Sequence, residues 1–323
     1  MKTEIGGSSV DRRSEYMNLK YATLQEFVQY WLQNVKAKTV KAGSLKRLYA
    51  EAKALESYPI SQLPICDIKL FDIQRYINQL VDNGYSYTTI AKQRLIVTAP
   101  LRYAYQAELV DRDYSSGVKM PAKEIVLKAD RDVRALTEEE QSALRKYILS
   151  KPGVFASITE FLLETGLRVG EAQALCWNDV DWRRETIRIN KTILNCRPDN
   201  KNIVQLSPKT KSSGRTIPLS KRAKEILKSL LEDKNGDYIF HRNGNTVSYS
   251  GLIKWFKKAC EASNIEICGL HALRHTFATN CYYKGCNIKI LSKLLGHAST
   301  TITYNTYINL YGDGLDEMRS IVN

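Results

Sequence analysis

The sequence predicts a mainly α-helical protein with one small antiparallel β-sheet, an α+β fold. Apolar residues recur every three to four positions over residues 21–112 and again after residue 137, which is the period of an amphipathic helix. Between residues 186 and 219 the period changes to alternation and β-branched residues accumulate, which is typical of strands. The 323 residues are 43% hydrophobic and 25% charged, which excludes a collagen-like or fully disordered chain and is enough for two domains.

Residues 1–20 are predicted to form an N-terminal arm or linker. The run Gly6–Ser9 has the composition of a flexible linker, such as a cloning scar or the stump of a truncated module. The N-terminus lacks the apolar core of a secretory signal. No run of about 18 apolar residues predicts a membrane span.

A first domain of helices is predicted over residues 21–112. Its first helix has an apolar stripe at helical spacing: Leu24, Phe27, Val28, Trp31 and Leu32. Three further helices are predicted over 44–58, 67–81 and 87–109. Pro59 ends the second helix, and the Asp-Asn-Gly turn at residues 82–84 ends the third.

A polar segment over residues 113–136 predicts the interdomain linker. Thr137 and Glu140 then form a capping box, and the acidic run 138–140 lies at the positive end of the new helix dipole. A second domain is therefore expected over 137–308, followed by a tail over 309–323.

The second domain is predicted to combine helices with the small sheet. A helical stretch over 153–176 is interrupted at Thr165 and Gly166. Strands are expected over 186–190, 203–206 and 215–219, with residues 207–214 as the turn between the last two. Helices resume over 220–231, 250–262, 271–283 and 288–295.

The net charge favours a polyanionic partner, nucleic acid first. Lysine and arginine total 48 against 34 acidic residues, a formal charge of +14, and residues 1–129 alone hold 19 basic and 13 acidic residues. The alternative is a basic protein without such a partner. In the first domain, charge and helix position make Arg47, Lys92 and Arg94 candidates for DNA contact.

The seven cysteines do not predict a disulfide framework or a zinc ribbon. Their number is odd, the sequence contains no Cys-x-x-Cys, and the nearest pair, Cys281 and Cys286, is separated by four residues. Reduced thiols in a cytosolic protein are the simpler interpretation.

The segment TGLRVGE contains the first candidate for chemistry. Gly166 is suited to end one helix in a left-handed conformation, which places Arg168 in the first turn of the next. The helix dipole disfavours a cation there, so Arg168 beside backbone N–H groups predicts an anion site. Glu171 is placed to orient the guanidinium or to cap the turn. The alternative is a solvated arginine.

The segment HALRHTFAT places His271 and Arg274 on one helix face. Taken alone, this pair is better explained as a surface interaction. His275 lies one position round the helix and is interpreted as structural. Downstream, His297 follows Gly296 at a helix end, and Tyr304 and Tyr307 follow His297.

Two lysines lie in the predicted hairpin, Lys209 and Lys211. They are two residues apart, so on a strand they share one face and are placed to reach into a groove. The alternative is a basic hairpin tip that contacts only phosphates or solvent.

The order of these motifs resembles the tyrosine recombinase (phage integrase) family. The resemblance covers residues 137–312 through all the family's signature motifs and extends more loosely to 21–112, which is similar to the family's helical core-type DNA-binding domain. It implies a C-shaped clamp around duplex DNA. A further N-terminal arm-binding domain has little room here, so we expect a truncated chain or a simpler member.

The resemblance also implies catalytic roles. Arg168 and Arg274 would clamp the scissile phosphate, and Tyr307 would attack it to give a 3′-phosphotyrosyl intermediate. Lys209 would protonate the leaving 5′-oxygen. His271 would help to deprotonate the tyrosine, His297 would hydrogen-bond the phosphate, and Glu171 matches the structural acid. Tyr304 and Lys211 stay open as alternatives to Tyr307 and Lys209; Lys211 is otherwise a DNA-contact candidate.

No cofactor or metal is implied, and the sequence has no P-loop and no obvious carboxylate cluster for Mg²⁺. The implied partners are duplex DNA at attachment or core sites and a homotetramer joined by exchange of the 309–323 tail. Excisionase or DNA-bending accessory proteins are further expected partners. No membrane partner is expected, and the predicted location is the cytoplasm of a bacterium, in association with DNA.

Three other functions compete with an integrase. A type IB topoisomerase uses a similar residue set, but the separate helical domain and the HALRH and LGH segments favour a recombinase. A non-catalytic DNA-binding regulator would be favoured by the loss of a catalytic residue, and all six match. A metal-dependent nuclease would need a ligand cluster, which is not apparent in the sequence.

Overall fold

The fold was taken from a computed structural model that describes residues 9–126, 134–194, 203–205, 214–232, 234–266, 269–297, 299–301 and 303–304. The chain divides into two compact units, residues 1–132 and 133–323. In the part of the chain that the structure describes, both units are mainly α-helical, and the second also contains short antiparallel strands. The predicted fold class is therefore confirmed.

The first unit is helical. Its helices are α1 (Ser9–Lys20), α2 (Leu24–Trp31), α3 (Ala37–Thr39), α4 (Ala42–Leu55), α5 (Leu70–Asp82) and α6 (Tyr87–Gln106). A π-helical turn, Leu32–Lys36, connects α2 to α3. The predicted stripe of α2 is buried, and its start is fixed by a capping box between Thr23 and Glu26.

Within the predicted N-terminal arm, residues 9–20 form helix α1. The linker-like glycines end before residue 8, so no glycine or proline interrupts the segment. The Tyr16 hydroxyl donates to the carbonyl oxygen of Glu108 at 2.6 Å, which ties α1 to the end of α6.

Helix α5 begins at Leu70, three residues later than predicted. The amide of Asp67 donates to the carbonyl of Pro64, which closes a turn at the expected start. Asp72 then accepts from the amide of Lys69 at 2.9 Å and satisfies one of the free donors at the true N-terminus. The segment 115–126 contributes Val118 to the core of this unit.

The second unit contains α7 (Glu138–Ser150), α8 (Val154–Thr165), α9 (Val169–Gln173), α10 (Lys221–Leu231), α11 (Tyr249–Ala262), α12 (His271–Tyr283) and α13 (Ile288–Leu295). The capping box before α7 is confirmed: Thr137 Oγ1 accepts from the amide of Glu140, and a Glu140 carboxylate oxygen accepts from the amide of Thr137. The core is formed by side chains of α7, α8, α11 and α12, including Phe161, Phe256 and Leu273, together with Phe240 from the segment before β6.

The strands of the second unit form several small sheets, where one was predicted. Strands β1 (Val180–Asp181), β2 (Thr186–Ile189) and β5 (Arg215–Pro218) pair in the order β1-β2-β5. Strand β3 (Thr192–Leu194), which the sequence did not predict, pairs with β4 (Ile203–Gln205). Strands β6 (His241–Arg242) and β7 (Asn245–Thr246) form a hairpin. The predicted turn over 207–214 lies outside the described residues except for Gly214.

The cysteines that the structure describes are Cys66, Cys176, Cys260, Cys281 and Cys286, and all five are free thiols. No helix within the described ranges is long and apolar enough to cross a membrane.

Candidate active site

The TGLR segment forms a tight turn between α8 and α9. Gly166 has φ of +62°, and a Cβ there would lie 2.3 Å from the ring of Phe277, so only glycine fits. Arg168 was expected in the first turn of the next helix. It is instead the residue before α9, with extended backbone (φ −70°, ψ 146°).

Glu171 holds Arg168 at two points. One carboxylate oxygen accepts from the Arg168 amide at 3.0 Å, and the other accepts from Nη1 at 2.9 Å. Glu171 therefore both caps α9 and orients the guanidinium, the two roles predicted for it. Arg168 Nη2 donates to the carbonyl oxygen of Gly296 at 3.1 Å.

Arg274 lies on α12 and is only 2% exposed. Its Nη1 donates to the carbonyl oxygen of Gly166 at 2.8 Å, and its Nη2 donates to that of Leu295 at 2.6 Å. A buried guanidinium held by backbone carbonyls keeps its full positive charge, because a carbonyl oxygen carries no formal charge. The surface interaction considered for this residue is therefore excluded by its burial.

Both arginines converge on the C-terminal end of α13. Arg274 contacts the carbonyl of Leu295 and Arg168 contacts that of Gly296, the residue immediately before His297. Gly296 has φ of +66° and ends the helix, so the chain turns there and places His297 beside both guanidinium groups. The His297 Nδ1 lies 2.8 Å from Thr303 Oγ1, a contact that fixes the ring.

His271 and His275 are neighbours on α12. Their rings meet edge to face with centroids 5.2 Å apart. His271 is open to solvent at its outer edge, whereas His275 is buried. The exposure of His271 fits a group that meets a ligand, and the burial of His275 fits the structural interpretation.

The positive charge of the site keeps its histidines neutral. Burial, followed by the charges of Arg274 and Arg168, lowers the pKa of His297 to about 4. The same causes in the same order lower the pKa of His271. Burial above all lowers the pKa of His275 to about 4. At neutral pH each ring can therefore accept a proton or a hydrogen bond.

The structure adds one arginine that the sequence analysis missed. Arg215, the first residue of β5, donates to both carboxylate oxygens of Glu171, from Nη1 at 3.2 Å and from Nη2 at 2.9 Å. A signal was present in the sequence, because alternation along β5 places Arg215 on the same face as buried Ile217. An arginine on the inward face of a strand indicates a buried partner.

Burial alone would raise the pKa of Glu171. The hydrogen bonds and charge of Arg215, together with the charge of Arg168, outweigh burial and hold this pKa below its usual value. The carboxylate is thus ionised at neutral pH and can fix both guanidinium groups.

Several predicted site residues lie outside the described part of the chain: Lys209, Lys211, Tyr307 and the 309–323 tail. The alternative nucleophile Tyr304 is described and is 53% exposed. Among the described residues, no group of three His, Cys, Asp or Glu side chains could hold a metal ion.

The candidate DNA-contact residues of the first unit lie on neighbouring helices. Arg47 is exposed on α4, and Lys92 is exposed on α6. Arg94, also on α6, is half-buried. The two helices are joined by Gln93, whose amide donates to a Glu51 carboxylate oxygen at 2.8 Å.

A protein-family model described as the phage integrase family matches residues 134–312, more than half of the chain. This chain belongs to the phage integrase family. The matched range contains every catalytic residue predicted from the sequence, so the predicted family is confirmed.

Curated proteins similar to this integrase-family chain include bacterial and transposon enzymes. A "Tyrosine recombinase XerC-like" protein of Caldanaerobacter subterraneus subsp. tengcongensis is 26% identical, over 93% of this chain and 84% of its own length. The transposase from transposon Tn916 of Enterococcus faecalis is 26% identical, over 80% of this chain and 67% of its own.

Solved structures share the fold of this family member. The integrase of transposon Tn1549, in complex with a circular intermediate DNA, matches with a TM-score of 0.76 at 21% identity, covering 93% of this chain and 99% of that one. A lambda integrase tetramer bound to a Holliday junction matches with a TM-score of 0.66 at 20% identity, covering 93% and 81%.

Proposed function

We propose that this protein is a site-specific DNA recombinase that integrates or excises a mobile element. It cuts and rejoins duplex DNA through a 3′-phosphotyrosyl intermediate. Membership of the phage integrase family supports the reaction class. The transposase of Tn916 and the integrase of Tn1549, to which the chain is similar, support a mobile element as its substrate.

One observation carries the proposal. Arg168 and Arg274 donate to consecutive carbonyl groups, those of Gly296 and Leu295, beside the neutral ring of His297. Two planar guanidinium groups at one turn form a site for the non-bridging oxygens of a phosphodiester. Such donors stabilise the negative charge on the non-bridging oxygens of the phosphate in the transition state.

The reaction proceeds by phosphoryl transfer to tyrosine. Tyr307 Oη attacks the phosphorus, the bond from phosphorus to the 5′-oxygen breaks, and Lys209 gives its proton to that oxygen. His271 accepts the tyrosine proton, and His297 donates a hydrogen bond to the phosphate. Religation reverses these steps, with a 5′-hydroxyl attacking the phosphotyrosine. The bond energy is retained, so the reaction consumes no nucleotide.

The assembly that acts on DNA is a tetramer. The lambda integrase structure that shares this fold is a tetramer bound to a Holliday junction. In this chain, the tail over residues 309–323 joins each protomer to its neighbour, and excisionase or DNA-bending proteins set the direction of the reaction.

The test is covalent trapping on nicked suicide duplexes taken from the ends of the element that encodes the gene. Wild type, Tyr304→Phe and Tyr307→Phe are compared in EDTA, and the readout is a protein–DNA band that survives SDS. We expect a band for wild type and Tyr304→Phe and none for Tyr307→Phe.

The other outcomes are equally informative. Loss of the band in Tyr304→Phe alone would assign the nucleophile to Tyr304. No adduct on DNA that the protein demonstrably binds would contradict the enzyme and favour a DNA-binding regulator. Relaxation of supercoils on DNA without the element ends would favour a topoisomerase.

A further inference from the structure

Arg215 is a buried arginine with no role among the predicted catalytic residues. Its side chain is 7% exposed, and the Glu171 carboxylate beside it is 6% exposed. A buried charge is costly unless it is paired and hydrogen-bonded. The contacts of Arg215 therefore indicate which groups its charge holds in place.

These contacts reach two separate parts of the site. The Nη1 and Nη2 groups donate to both oxygens of Glu171, at 3.2 and 2.9 Å. The Nε group donates to the carbonyl oxygen of Leu294 at 2.6 Å. One guanidinium thus joins strand β5, helix α9 and the last turn of helix α13.

Each partner of Arg215 is connected to a group that is proposed to bind the phosphate. Glu171 directly orients Arg168 through its amide and Nη1. Leu294 lies in the turn that precedes His297. That turn is fitted closely to Arg215, because a Cβ on Gly296 would lie 2.8 Å from the Arg215 Nη1.

The shape of the arginine matters as well as its charge. A guanidinium donates in a planar fork to a carboxylate while Nε donates elsewhere, and a lysine ammonium cannot reproduce that geometry. Without the fork, Glu171 keeps only its two hydrogen bonds to Arg168. The carboxylate and the guanidinium that it orients can then shift together as a pair.

We propose that Arg215 is a positioning residue for the cleavage step, which sets Arg168 through Glu171 and His297 through the Leu294 carbonyl. The inference rests on the proposed function, since it concerns the same phosphate site. Arg215 itself does not touch the phosphate. Its loss displaces the groups that do.

The test measures single-turnover cleavage of the nicked suicide duplex by the full chain at saturating protein. Misplacement of catalytic groups by about 1 Å costs on the order of 100-fold in rate, and we expect Arg215→Gln to slow cleavage by about that factor. DNA affinity should stay within about threefold of wild type, because the candidate phosphate-contact residues remain in place. Arg215→Lys should recover only part of the rate.

Arg222→Gln is the matched control. Arg222 also makes a two-point contact with a buried glutamate, from Nε and Nη2 to the two oxygens of Glu160 at 2.8 and 3.0 Å. Its loss removes a comparable pair from the same unit, away from the described site contacts. We expect near-wild-type cleavage by this variant below its unfolding temperature.

A double-mutant cycle separates positioning from general loss of stability. If Arg215 acts through Arg168, Arg215→Gln slows Arg168→Ala far less than it slows wild type, because the group that it positions is already missing. Arg222→Gln should have the same small effect in both backgrounds. Should Arg215→Gln unfold at the assay temperature, the cycle is run with Arg215→Lys.

Additive effects of Arg215 and Arg168, or wild-type cleavage by Arg215→Gln, would overturn the inference. Failure of wild type to form any adduct would instead contradict the proposed function. The two failures are therefore distinguishable in one experiment.

Discussion

The second unit contains two buried glutamates, each held by two arginines, and the charges around them differ. Glu160 on α8 contacts Arg145 at 3.3 Å and Arg222 at 2.8 Å. These arginines are shared with further carboxylates: Glu164, at 2.7 Å from Arg145, and Glu225, at 3.1 Å from Arg222. In this cluster, each positive charge is balanced by nearby negative charge.

Glu171 on α9 is in the opposite situation. It contacts Arg168 and Arg215, and Arg274 lies close by with its hydrogen bonds directed to the carbonyls of Gly166 and Leu295. Among these described contacts, the arginines outnumber the carboxylates. The difference teaches that arginines paired with several carboxylates stabilise the fold, whereas arginines that converge on one turn beside a single carboxylate are suited to bind an anion.

The largest expected effect is on the cleavage rate when one arginine from each cluster is replaced. Removal of a transition-state arginine typically costs 10³-fold or more, so Arg168→Ala should slow single-turnover cleavage by about 1000-fold at saturating protein. Arg145→Ala should cleave at close to the wild-type rate. Equal losses in the two variants would show that the charge difference between the clusters has no catalytic meaning.

Neutralising Glu160 should affect mainly stability, whereas neutralising Glu171 should affect mainly the cleavage rate. Glu171→Gln replaces one carboxylate oxygen with an NH2 group, which cannot accept a hydrogen bond from an arginine, so cleavage should slow by about 100-fold through misplacement of Arg168. Glu160→Gln weakens the contacts of a buried glutamate with two arginines that are 35% and 41% exposed. Because solvent screens such pairs, the change should lower the free energy of unfolding by about 1 kcal/mol and leave cleavage of the folded protein unchanged.

Urea unfolding and cleavage are measured on both glutamate variants at neutral pH. Slow cleavage by folded Glu160→Gln, or normal cleavage by Glu171→Gln, would contradict the division between a structural and a catalytic cluster.

Much of the backbone around Glu171 was predictable, because the sequence signals that start and end its helices are local. Helices α12 and α13 begin and end where the sequence places them, since Asn287 caps one end of α13 and Gly296 ends the other. The break at Gly166 was predicted for the same reason. These local helix-start and helix-end signals also placed the predicted site residues near the ends of helices, where binding groups often lie. The residues are Arg168, Glu171, Arg274 and His297.

The features that could not be predicted from the sequence depend on contacts between residues that are far apart along the chain or on opposite sides of a turn. Strand β3 has three residues, too short for alternation to show, and its pairing with the predicted strand β4 is set by the sheet. Arg215 and Glu171 are 44 residues apart, and their contact depends on how β5 meets α9. The contact of His297 with Thr303 depends on the turn after α13.

A smaller effect follows from the burial of His297 and from the arginine charges beside it, and it depends on pH. The pKa of His297 is lowered to about 4 by burial and then by Arg274 and Arg168, whereas in the unfolded chain it is near 6.5. Between these values the unfolded state binds more protons, so stability falls as the pH drops from 6.5 towards 4, by at most about 1.4 kcal/mol per pH unit for this group.

Urea unfolding of wild type and His297→Gln between pH 6.5 and 5 measures that slope. His271 and His275, whose pKa values are also lowered, contribute in the same direction in both proteins, so the difference isolates His297. Identical slopes would show that His297 does not experience the charge of the arginines.

The smallest effect concerns the first unit, where the candidate contact Lys92 is an exposed single charge. Lys92→Ala should weaken binding to all sequences alike and lower the magnitude of the salt slope of log K by about 1, without abolishing cleavage at saturating protein. Lys92→Arg keeps the charge and is the control. An unchanged salt slope in the alanine variant would remove Lys92 from the DNA interface.

Arg168 and Arg274, which converge on the turn at Gly296, are proposed to serve the negative charge of the scissile phosphate. The most direct test replaces that phosphate with an uncharged methylphosphonate and compares cleavage by wild type, Arg168→Ala and Arg145→Ala. With the substrate charge removed, the loss of about 1000-fold in Arg168→Ala should shrink to less than about tenfold. The same 1000-fold loss on both substrates would contradict the account.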